Sequence, residues 1–443
     1  MIRPHPRRAF LRALVAGAAA PLAARFLDVD RALAGEVHDL SLTFQSPDPY
    51  ETFRDRYLLD PRVTYLNHAS IGTVPRAVHR AGLRYREICE ENPWLHIWGG
   101  AWEEGREEVR WASADLLGCA ANEVALTHNT TEGFNLLAQG LPLTAGDEVL
   151  FSSLNHVGAS ACWDHQAPVR GFRVRRFDFP VSRVPELTAE EVVRVHEREI
   201  RDETRVLVFP HIDNIVGLRH PMEELAAMAR RNGVEFVLVD GAQSVGMVPL
   251  DVASAGVDAF ATSPHKWIQS PKGLGLLYLR RDLHDRVRPM WVTWGQDRWR
   301  GTARIYEDYG TRNLPEVLSL GDAIRFQAAV GEGRKEERYR ELFRHLRERV
   351  EASSSLEWAS PRLWEMGGIL AAVRLKGQPA GTASEALFRD HGVVVRPFPA
   401  EELNSLRVSP NLLNTPRELD DIVDVLEQGF AGPGLVSPGL STE

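Results

Sequence analysis

Short runs of consecutive apolar residues alternate along the chain with longer stretches in which apolar positions recur at helical spacing. The runs "EVALTH", "TRVLVFP" and "EFVLVD" are apolar nearly throughout, and "TTEGFNLLAQGL" and "MEELAAMARRNG" have the helical pattern. Strands that are apolar on both faces occur where helices cover a largely parallel sheet on both sides. The pattern therefore predicts an α/β domain, which we assign to residues 76–320.

The pattern changes near Gly321. A long charged helix, "AAVGEGRKEERYRELFRHLRERVEA", is followed by the apolar runs "GILAAVRL" and "VVVRPF" and by a last helix that begins near Thr415. We expect a second, smaller α+β domain over residues 321–443. Residues 35–75 form an N-terminal segment in this interpretation.

The first residues have the pattern of an export signal. Arginines at positions 3, 7, 8 and 12 precede an apolar run from Ala13 to Ala24 that is too short to span a bilayer. The pair Arg7-Arg8 before Ala-Phe-Leu is typical of a twin-arginine signal, predicted over residues 1–34 with cleavage after "ALA" at 32–34 or nearer Ala24. A disordered basic tail and a mitochondrial-type presequence are the alternatives. We expect periplasmic export through the twin-arginine translocase, without stable membrane anchoring.

The composition is that of an ordinary globular protein, and it narrows the classes of partner. The 443 residues are 44% hydrophobic and 26% charged, and a net charge of −9 at pH 7 argues against nucleic acid or an anionic membrane surface as a partner. Cys89, Cys119 and Cys162 are too widely spaced for a disulfide framework or a zinc site. We therefore expect no bound metal.

Polar residues follow several predicted strands, and in open α/β sheets ligands bind at the carboxyl ends of the strands. After "EVALTH", Asn129, Thr130 and Thr131 precede a helix, where free N–H groups, the helix dipole and hydroxyls favour a phosphate. Taken alone, this turn is equally well explained by Thr130 as the helix N-cap.

Two further strand ends bring an acid and a lysine together. Asp240 ends "EFVLVD", and Lys266 follows in "SPHKW", one connection and one strand later. Ser263 and His265 add donors for the same phosphate. A capping turn and a solvated loop lysine are the alternatives, and Lys272 is interpreted as such an ordinary lysine. A phosphate site, an acid for a pyridinium nitrogen and an imine-forming lysine together are what pyridoxal phosphate requires of a protein.

With these motifs the chain resembles the class V aminotransferase group of fold-type I pyridoxal-phosphate enzymes. The similarity runs from "YLNHASIGTVPRAV" near Tyr65 to "LRVSPNLLNTPRELDDIV" near Leu406. The first stretch, with Asn67, His68 and Gly72, is most like the isopenicillin N epimerase branch. The resemblance implies an α/β fold in which a mostly parallel sheet of the seven-stranded type lies between helices, plus a smaller α+β C-terminal domain.

The resemblance also implies roles for single residues. Lys266 would bind the cofactor covalently and move protons, and Asp240 would keep the pyridine nitrogen protonated. His156 would stack on the ring, with Trp163 as a competitor and a loop histidine as the alternative. Asn214, a turn residue in the alternative interpretation, would lie near the phenolate oxygen. Contacts to the phosphate or the phenolate are also implied for Thr130, Thr131, Gln243, Ser263 and His265.

Two matches extend beyond these strand ends. In "YEDYGTRN", Thr311 matches a threonine that reaches the phosphate of a neighbouring subunit, which implies a homodimer with a shared active site; a polar interdomain turn is the alternative. Arg407 matches the arginine that grips the substrate α-carboxylate with a planar two-pronged donor, and Arg396 is the second candidate. Asn67, His68 and Trp294 are candidates for the lining of the substrate cleft.

Departures from the family narrow the reaction. The stretch "VVVRPFPAEELNSLRVSP" contains no cysteine, so a persulfide-forming desulfurase is not expected. Fold and export signal together are similar to a periplasmic member that tailors the glutamate side chain of pyoverdine. We expect an exported enzyme that acts at the α-carbon or amine of an amino acid or small peptide, by transamination, epimerisation or a related step. A cysteine-conjugate C–S lyase and a non-catalytic binding protein of this fold are the alternatives.

Overall fold

The computed structural model describes residues 44, 49–50 and 52–429. The predicted signal over residues 1–34, with its cleavage sites, lies outside the described residues. Within the described part of the chain, no helix combines the length and the apolar character needed to cross a membrane.

A seven-stranded sheet forms the centre of the large domain. Its strands are β2 Val124–Thr127, β3 Glu148–Ser152, β4 Arg173–Phe177, β5 Thr204–Pro210, β6 Phe236–Asp240, β7 Ala259–Thr262 and β8 Gly275–Leu279. In spatial order they are β2, β8, β7, β6, β5, β3 and β4. β8 is antiparallel to both of its neighbours, and the other pairs are parallel. The predicted mostly parallel sheet is confirmed.

Helices cover both faces of this sheet, which is why its central strands are apolar throughout. In β6, Val237 and Val239 pack into one core, whereas Phe236 and Leu238 pack into the core on the opposite face. The helices of this part are α1 Arg76–Glu91, α2 Pro93–Ile97, α3 Glu103–Leu117, α4 Thr130–Gly140, α5 Val157–Arg170, α6 Ala189–Glu197, α7 Met222–Arg231 and α8 Gly295–Arg298.

The C-terminal part has the strands β9 Leu356–Trp358, β10 Ala371–Leu375, β11 Val393–Val394, β12 Arg396–Phe398 and β13 Ser405–Val408. Four of them form an antiparallel sheet in the order β12, β13, β10, β9. The helices of this part are α9 Leu314–Val330, α10 Glu332–Glu351, α11 Ala380–His391 and α12 Pro416–Gln428. The predicted boundary at residues 320 and 321 falls inside α9, which packs against α1 and α3 of the large domain.

The N-terminal segment belongs structurally to the C-terminal part. Its strand β1, Thr64–Tyr65, pairs in parallel with β11, in the register Thr64 with Val393. The next residues continue this association, because Asn67 bridges to Ser409 just after β13. The segment that carries Asn67 is thereby held beside the end of β13, next to the carboxyl ends of the central strands.

Candidate active site

A cavity of about 300 Å³ opens at the carboxyl ends of the parallel strands. The connections that follow β2, β3, β5, β6 and β7 all reach it, as does the C-terminal sheet. Twelve of the candidates named from the sequence line it, namely Asn129, Thr130, Thr131, His156, Asn214, Asp240, Gln243, Ser263, His265, Lys266, Arg396 and Arg407. The remaining lining residues are Ala69, Ser70, Gly158 and Ala242.

The start of α4 and the loop after β7 form one side of the cavity. Ser263 Oγ accepts from the Thr130 backbone N–H at 2.9 Å and lies 2.8 Å from Thr130 Oγ1. The N-cap is Asn129, whose side chain accepts from the Glu132 N–H at 2.9 Å, so Thr130 is the first helical residue rather than the cap. This arrangement leaves the Thr130 hydroxyl at the cavity wall, as an anion site at a helix N-terminus requires.

Two features on this side fit a bound phosphate. His265 Nδ1 is buried and has no hydrogen-bond partner among the described residues. At Gly158, a Cβ atom would lie 2.6 Å from Thr131 Oγ1, so a side chain there would block the space between the starts of α4 and α5. A buried ring nitrogen without a partner, which binds an anion when it carries the proton, and a cradle that only glycine leaves open are the expected features of an anion site.

Asp240 is the last residue of β6, and it is only 4% exposed. One carboxylate oxygen accepts from the Ala242 N–H at 2.9 Å. Burial raises the pKa of Asp240, whereas the Ala242 N–H, Lys266 and His156 act to lower it. A desolvated carboxylate that faces a cavity is matched by a cationic ligand group, and a protonated pyridine nitrogen is such a group.

Lys266 lies in the loop after β7 and faces the same cavity. Burial lowers the pKa of Lys266 to about 8, Asp240 acts in the opposite direction, and Arg407 and Arg396 lower the pKa further. The loop is held by Gly72, whose N–H donates to the His265 carbonyl at 2.9 Å and whose Cβ, if present, would lie 2.2 Å from the Lys266 carbonyl oxygen. A lysine amine with a pKa near 8 is available as a nucleophile at neutral pH.

The side chains of Gln243 and His156 are held in fixed orientations. Gln243 donates to the Ala69 carbonyl at 2.9 Å and accepts from Trp267 Nε1 at 2.9 Å. His156 is the N-cap of α5, and its Nδ1 accepts from the Gly158 N–H at 3.0 Å, which leaves Nε2 to carry the proton of the neutral ring. Burial is the largest cause of the lowered pKa of His156.

Arg407 is 1% exposed, and within the described part of the chain its guanidinium donates only to neutral acceptors. It donates to the Asn214 carbonyl at 2.8 Å, to Asn67 Oδ1 at 3.0 Å and to Ser70 Oγ. Asn67 is therefore a neighbour of the proposed carboxylate-binding arginine. Asn214 lines the cavity and also positions Arg407 through its backbone.

Four predicted positions are corrected by the structure. Asn67 does not line the cavity and instead accepts a hydrogen bond from Arg407, which does line it. His68 is fully buried against Tyr65, with ring centroids 4.9 Å apart, and does not line the cavity either. Trp163 is fully buried and donates to the Ala159 carbonyl, so it does not compete with His156. Trp294 is 67% exposed and lines a different cavity.

Thr311 also lies outside the cavity. It is exposed on the surface of the single chain, so its predicted contact with a neighbouring subunit stays a prediction.

The sequence analysis did not identify Ser70 and Gly158 as residues that line the cavity. The signals that point to them are their positions beside Asn67 and His156, in "NHAS" and "NHVG". Among the residues that the structure describes, no group of three or more His, Cys, Asp or Glu side chains could hold a metal ion.

Comparison with known proteins assigns the chain to a family. The family model described as Aminotransferase class-V matches residues 64–396. Isopenicillin N epimerase of Amycolatopsis lactamdurans is 34% identical over 405 residues, which cover 85% of this chain and 97% of that protein. Isopenicillin N epimerase of Streptomyces clavuligerus is 32% identical over 405 residues, which cover 85% of this chain and 98% of that protein.

A solved structure has the same fold. It is a mutant of the protein C-DES with glycine covalently linked to the PLP cofactor, and it superposes with a TM-score of 0.76 over 86% of this chain and 99% of that chain, at 21% identity. The family match and the set of residues around the cavity agree on the cofactor. The chain belongs to the aminotransferase class-V family, and it is a fold-type I enzyme that depends on pyridoxal 5′-phosphate.

Proposed function

We propose that this enzyme acts at the α-carbon and amine of an amino acid or small peptide. The observation that carries the proposal is the meeting of Asp240, Lys266 and Arg407 in one cavity that Ser263 and the start of α4 also line. An arginine for a carboxylate and a lysine with a pKa of about 8 are the groups that α-amino acid chemistry needs.

Each residue of the cavity has a separate role in the proposed reaction. The bound cofactor supplies an electron-withdrawing ring that makes the substrate α-proton acidic. Lys266 removes that proton and returns it, Asp240 holds the proton on the ring nitrogen, and Arg407 orients the α-carboxylate. Ser263 and the start of α4 hold the phosphate end, which fixes the ring relative to Lys266.

Epimerisation is the reaction that the names of the two relatives support. Transamination and elimination share the same proton removal and differ in where the proton is returned. A cysteine desulfurase is disfavoured, because no cysteine occurs between residues 163 and 443 to accept sulfur. A non-catalytic role is disfavoured by the complete set of Lys266, Asp240 and the phosphate donors.

A product assay tests the reaction class. The purified holoenzyme is incubated with free amino acids and with siderophore-type peptides, and keto acid, racemised product and ammonia are followed separately. Racemised product without keto acid supports epimerisation, keto acid with an amino acceptor supports transamination, and ammonia with a thiol product supports the C–S lyase. Protein that acquires no absorbance near the visible edge after addition of pyridoxal phosphate contradicts the proposal as a whole.

We also propose that the enzyme is exported and works as a homodimer. The twin-arginine motif supports export, because that route carries proteins already folded around their cofactors. Fractionation tests export: replacing Arg7 and Arg8 by lysine is expected to move the protein from periplasm to cytosol, and an unchanged distribution contradicts export.

Light scattering tests the homodimer. A Thr311→Ala protein that dimerises but binds the cofactor more weakly supports an active site shared between subunits.

A further inference from the structure

The side-chain amide of Gln243 has partners that permit only one orientation. Trp267 Nε1 donates to Gln243 Oε1 at 2.9 Å, and Gln243 Nε2 donates to the Ala69 carbonyl at 2.9 Å. An indole N–H only donates and a carbonyl only accepts, so exchanging the oxygen and nitrogen of the amide would break both hydrogen bonds. Gln243 is 2% exposed, and a buried amide that faces two mismatched partners is costly.

This orientation decides which group Gln243 presents to the cavity that it lines. Its oxygen is turned towards Trp267, and one of its two N–H groups is used by Ala69. The second N–H remains for a ligand. Gln243 therefore presents a hydrogen-bond donor to whatever occupies the cavity.

The polar groups of pyridoxal phosphate identify the acceptor. The phosphate fits Ser263 and the start of α4, the ring nitrogen fits Asp240 and the aldehyde carbon fits Lys266, all of which line the cavity. The phenol oxygen is the polar group of the cofactor that remains. A donor beside this oxygen stabilises negative charge on it.

The indole of Trp267 is itself fixed by the C-terminal part. Trp267 is fully buried, and Tyr339 of α10 packs edge-on against it, with ring centroids 6.1 Å apart. The Tyr339 hydroxyl donates to Asn411 Oδ1 at 2.9 Å. The other partner of the amide, Ala69, is tied to the same part, because its N–H donates to Ser409 Oγ at 3.2 Å. Both partners of the amide are thus positioned by the C-terminal part.

We propose that Trp267 is a positioning residue for the cofactor, which acts through Gln243. Its indole N–H keeps the amide turned so that an N–H group serves the phenol oxygen. Trp267 directly follows Lys266, so one loop carries both the lysine and the group that orients the donor. The inference goes beyond the proposed function, since it concerns the bound cofactor before any substrate arrives.

The pH dependence of the cofactor absorbance in the substrate-free holoenzyme tests the proposal. The absorbance changes as the bound cofactor loses a proton, and a donor at the phenol oxygen favours the form without that proton. Gln243→Ala is therefore expected to raise the midpoint by about one pH unit, and Trp267→Phe by about half as much. Trp163→Phe is the matched control: Trp163 is also fully buried, and its indole N–H donates to the Ala159 carbonyl at 3.0 Å, but neither residue lines the cavity.

A cofactor analogue isolates the phenol oxygen. Cofactor-free protein is titrated with pyridoxal phosphate and with the analogue that lacks this oxygen, and the ratio of the two affinities is compared between variants. The preference for pyridoxal phosphate is expected to fall about tenfold in Gln243→Ala and about threefold in Trp267→Phe. In the Gln243→Ala background, Trp267→Phe should not change the ratio further, because the indole acts only through the amide.

Two results would overturn the proposal. One is a Trp267→Phe protein whose midpoint and affinity ratio match those of Trp163→Phe, and the other is an effect of Trp267→Phe that persists in full in the Gln243→Ala background. Neither measurement involves turnover, so either result refutes the positioning role and not the proposed reaction. If Trp267→Phe does not fold, Trp267→Met, whose flexible side chain fills part of the space and has no N–H, replaces it with the same expected results.

Discussion

Two lysines in this enzyme have the same lowered pKa and very different surroundings. Burial lowers the pKa of Lys266 to about 8, and it does the same to Lys335 near the start of α10. Lys266 faces a cavity and the carboxylate of Asp240. Lys335 is enclosed, and its ammonium donates to Gln327 Oε1 at 3.4 Å. A perturbed pKa therefore does not identify a catalytic lysine; access to a ligand and a charged partner do.

A chain of hydrogen bonds connects the two regions. Gln327 donates to Gln269 Oε1 at 3.0 Å, and the Tyr57 hydroxyl donates to the same oxygen at 2.8 Å. Gln269 follows Lys266 by three residues and has a φ of 60°, a left-handed conformation that most residues avoid. Lys335 therefore belongs to the hydrogen-bonded structure that supports the loop carrying Lys266.

The largest expected effect distinguishes the two lysines by reactivity. Lys266→Ala is expected to lower turnover at least about 1000-fold, because the covalent link to the cofactor and the proton carrier are both lost. Borohydride treatment of wild-type holoenzyme followed by peptide mapping should find the label on Lys266. Lys272→Ala, in the same loop and exposed, is the control and should keep both turnover and label. A label on Lys335 would reverse the assignment.

The next effect tests the charged partner. Asp240→Asn is expected to lower turnover about 100-fold, since the ring nitrogen is no longer held protonated. The variant should also lower the pKa of Lys266, because Asp240 acts to raise it. The measurement is the pH dependence of pyridoxal-phosphate capture by cofactor-free protein, which rises as Lys266 loses its proton. An unshifted midpoint in Asp240→Asn, with Asp251→Asn as the exposed control, would contradict this account.

A smaller effect is expected at the connection between the regions. Gln269→Ala removes the acceptor of two buried donors and keeps a strained φ, so we expect about 2 kcal/mol less stability and turnover lowered about tenfold by displacement of the loop. Gln269→Gly relieves the strain and should recover about 1 kcal/mol. Urea unfolding and steady-state kinetics of both variants measure this. Equal stability of the two would show that the φ of 60° carries no strain.

The smallest effect on activity is expected at the enclosed lysine. Lys335→Met should leave turnover unchanged and stabilise the protein by about 2 kcal/mol at pH 7, where the wild type buries a charge. The pKa of Lys335 is lower in the folded protein than in the unfolded chain, so the stability of the wild type rises as the pH increases from about 8 to about 10.5. The stability that Lys335→Met gains over the wild type therefore becomes smaller across this pH range. Urea unfolding of the variant and the wild type at pH 7 and pH 9.5 measures this stability difference. Lys376→Met, at an exposed lysine, is the control. A gain independent of pH would contradict a buried ammonium.

The sequence alone determined the residues that belong to single strand ends. Asp240, Ser263 and Lys266 could be predicted because an apolar run predicts a buried strand, and the residue that follows it must lie at the edge of the sheet. The family resemblance added Gln243, His156 and Arg407, and the structure brings all of them to the same cavity.

The tertiary structure decided the contacts between distant segments. Arg407 meets Asn67 and Ser70 across more than 300 residues of chain, and the pairing of Arg396 with Arg407 depends on the register of two short strands. It also decided that Ala69 and Ser70 line the cavity while the preceding residue, His68, is buried. The physical reason is that hydrophobic periodicity is a local property, whereas the direction of each side chain in an irregular segment is set by the segment packed against it.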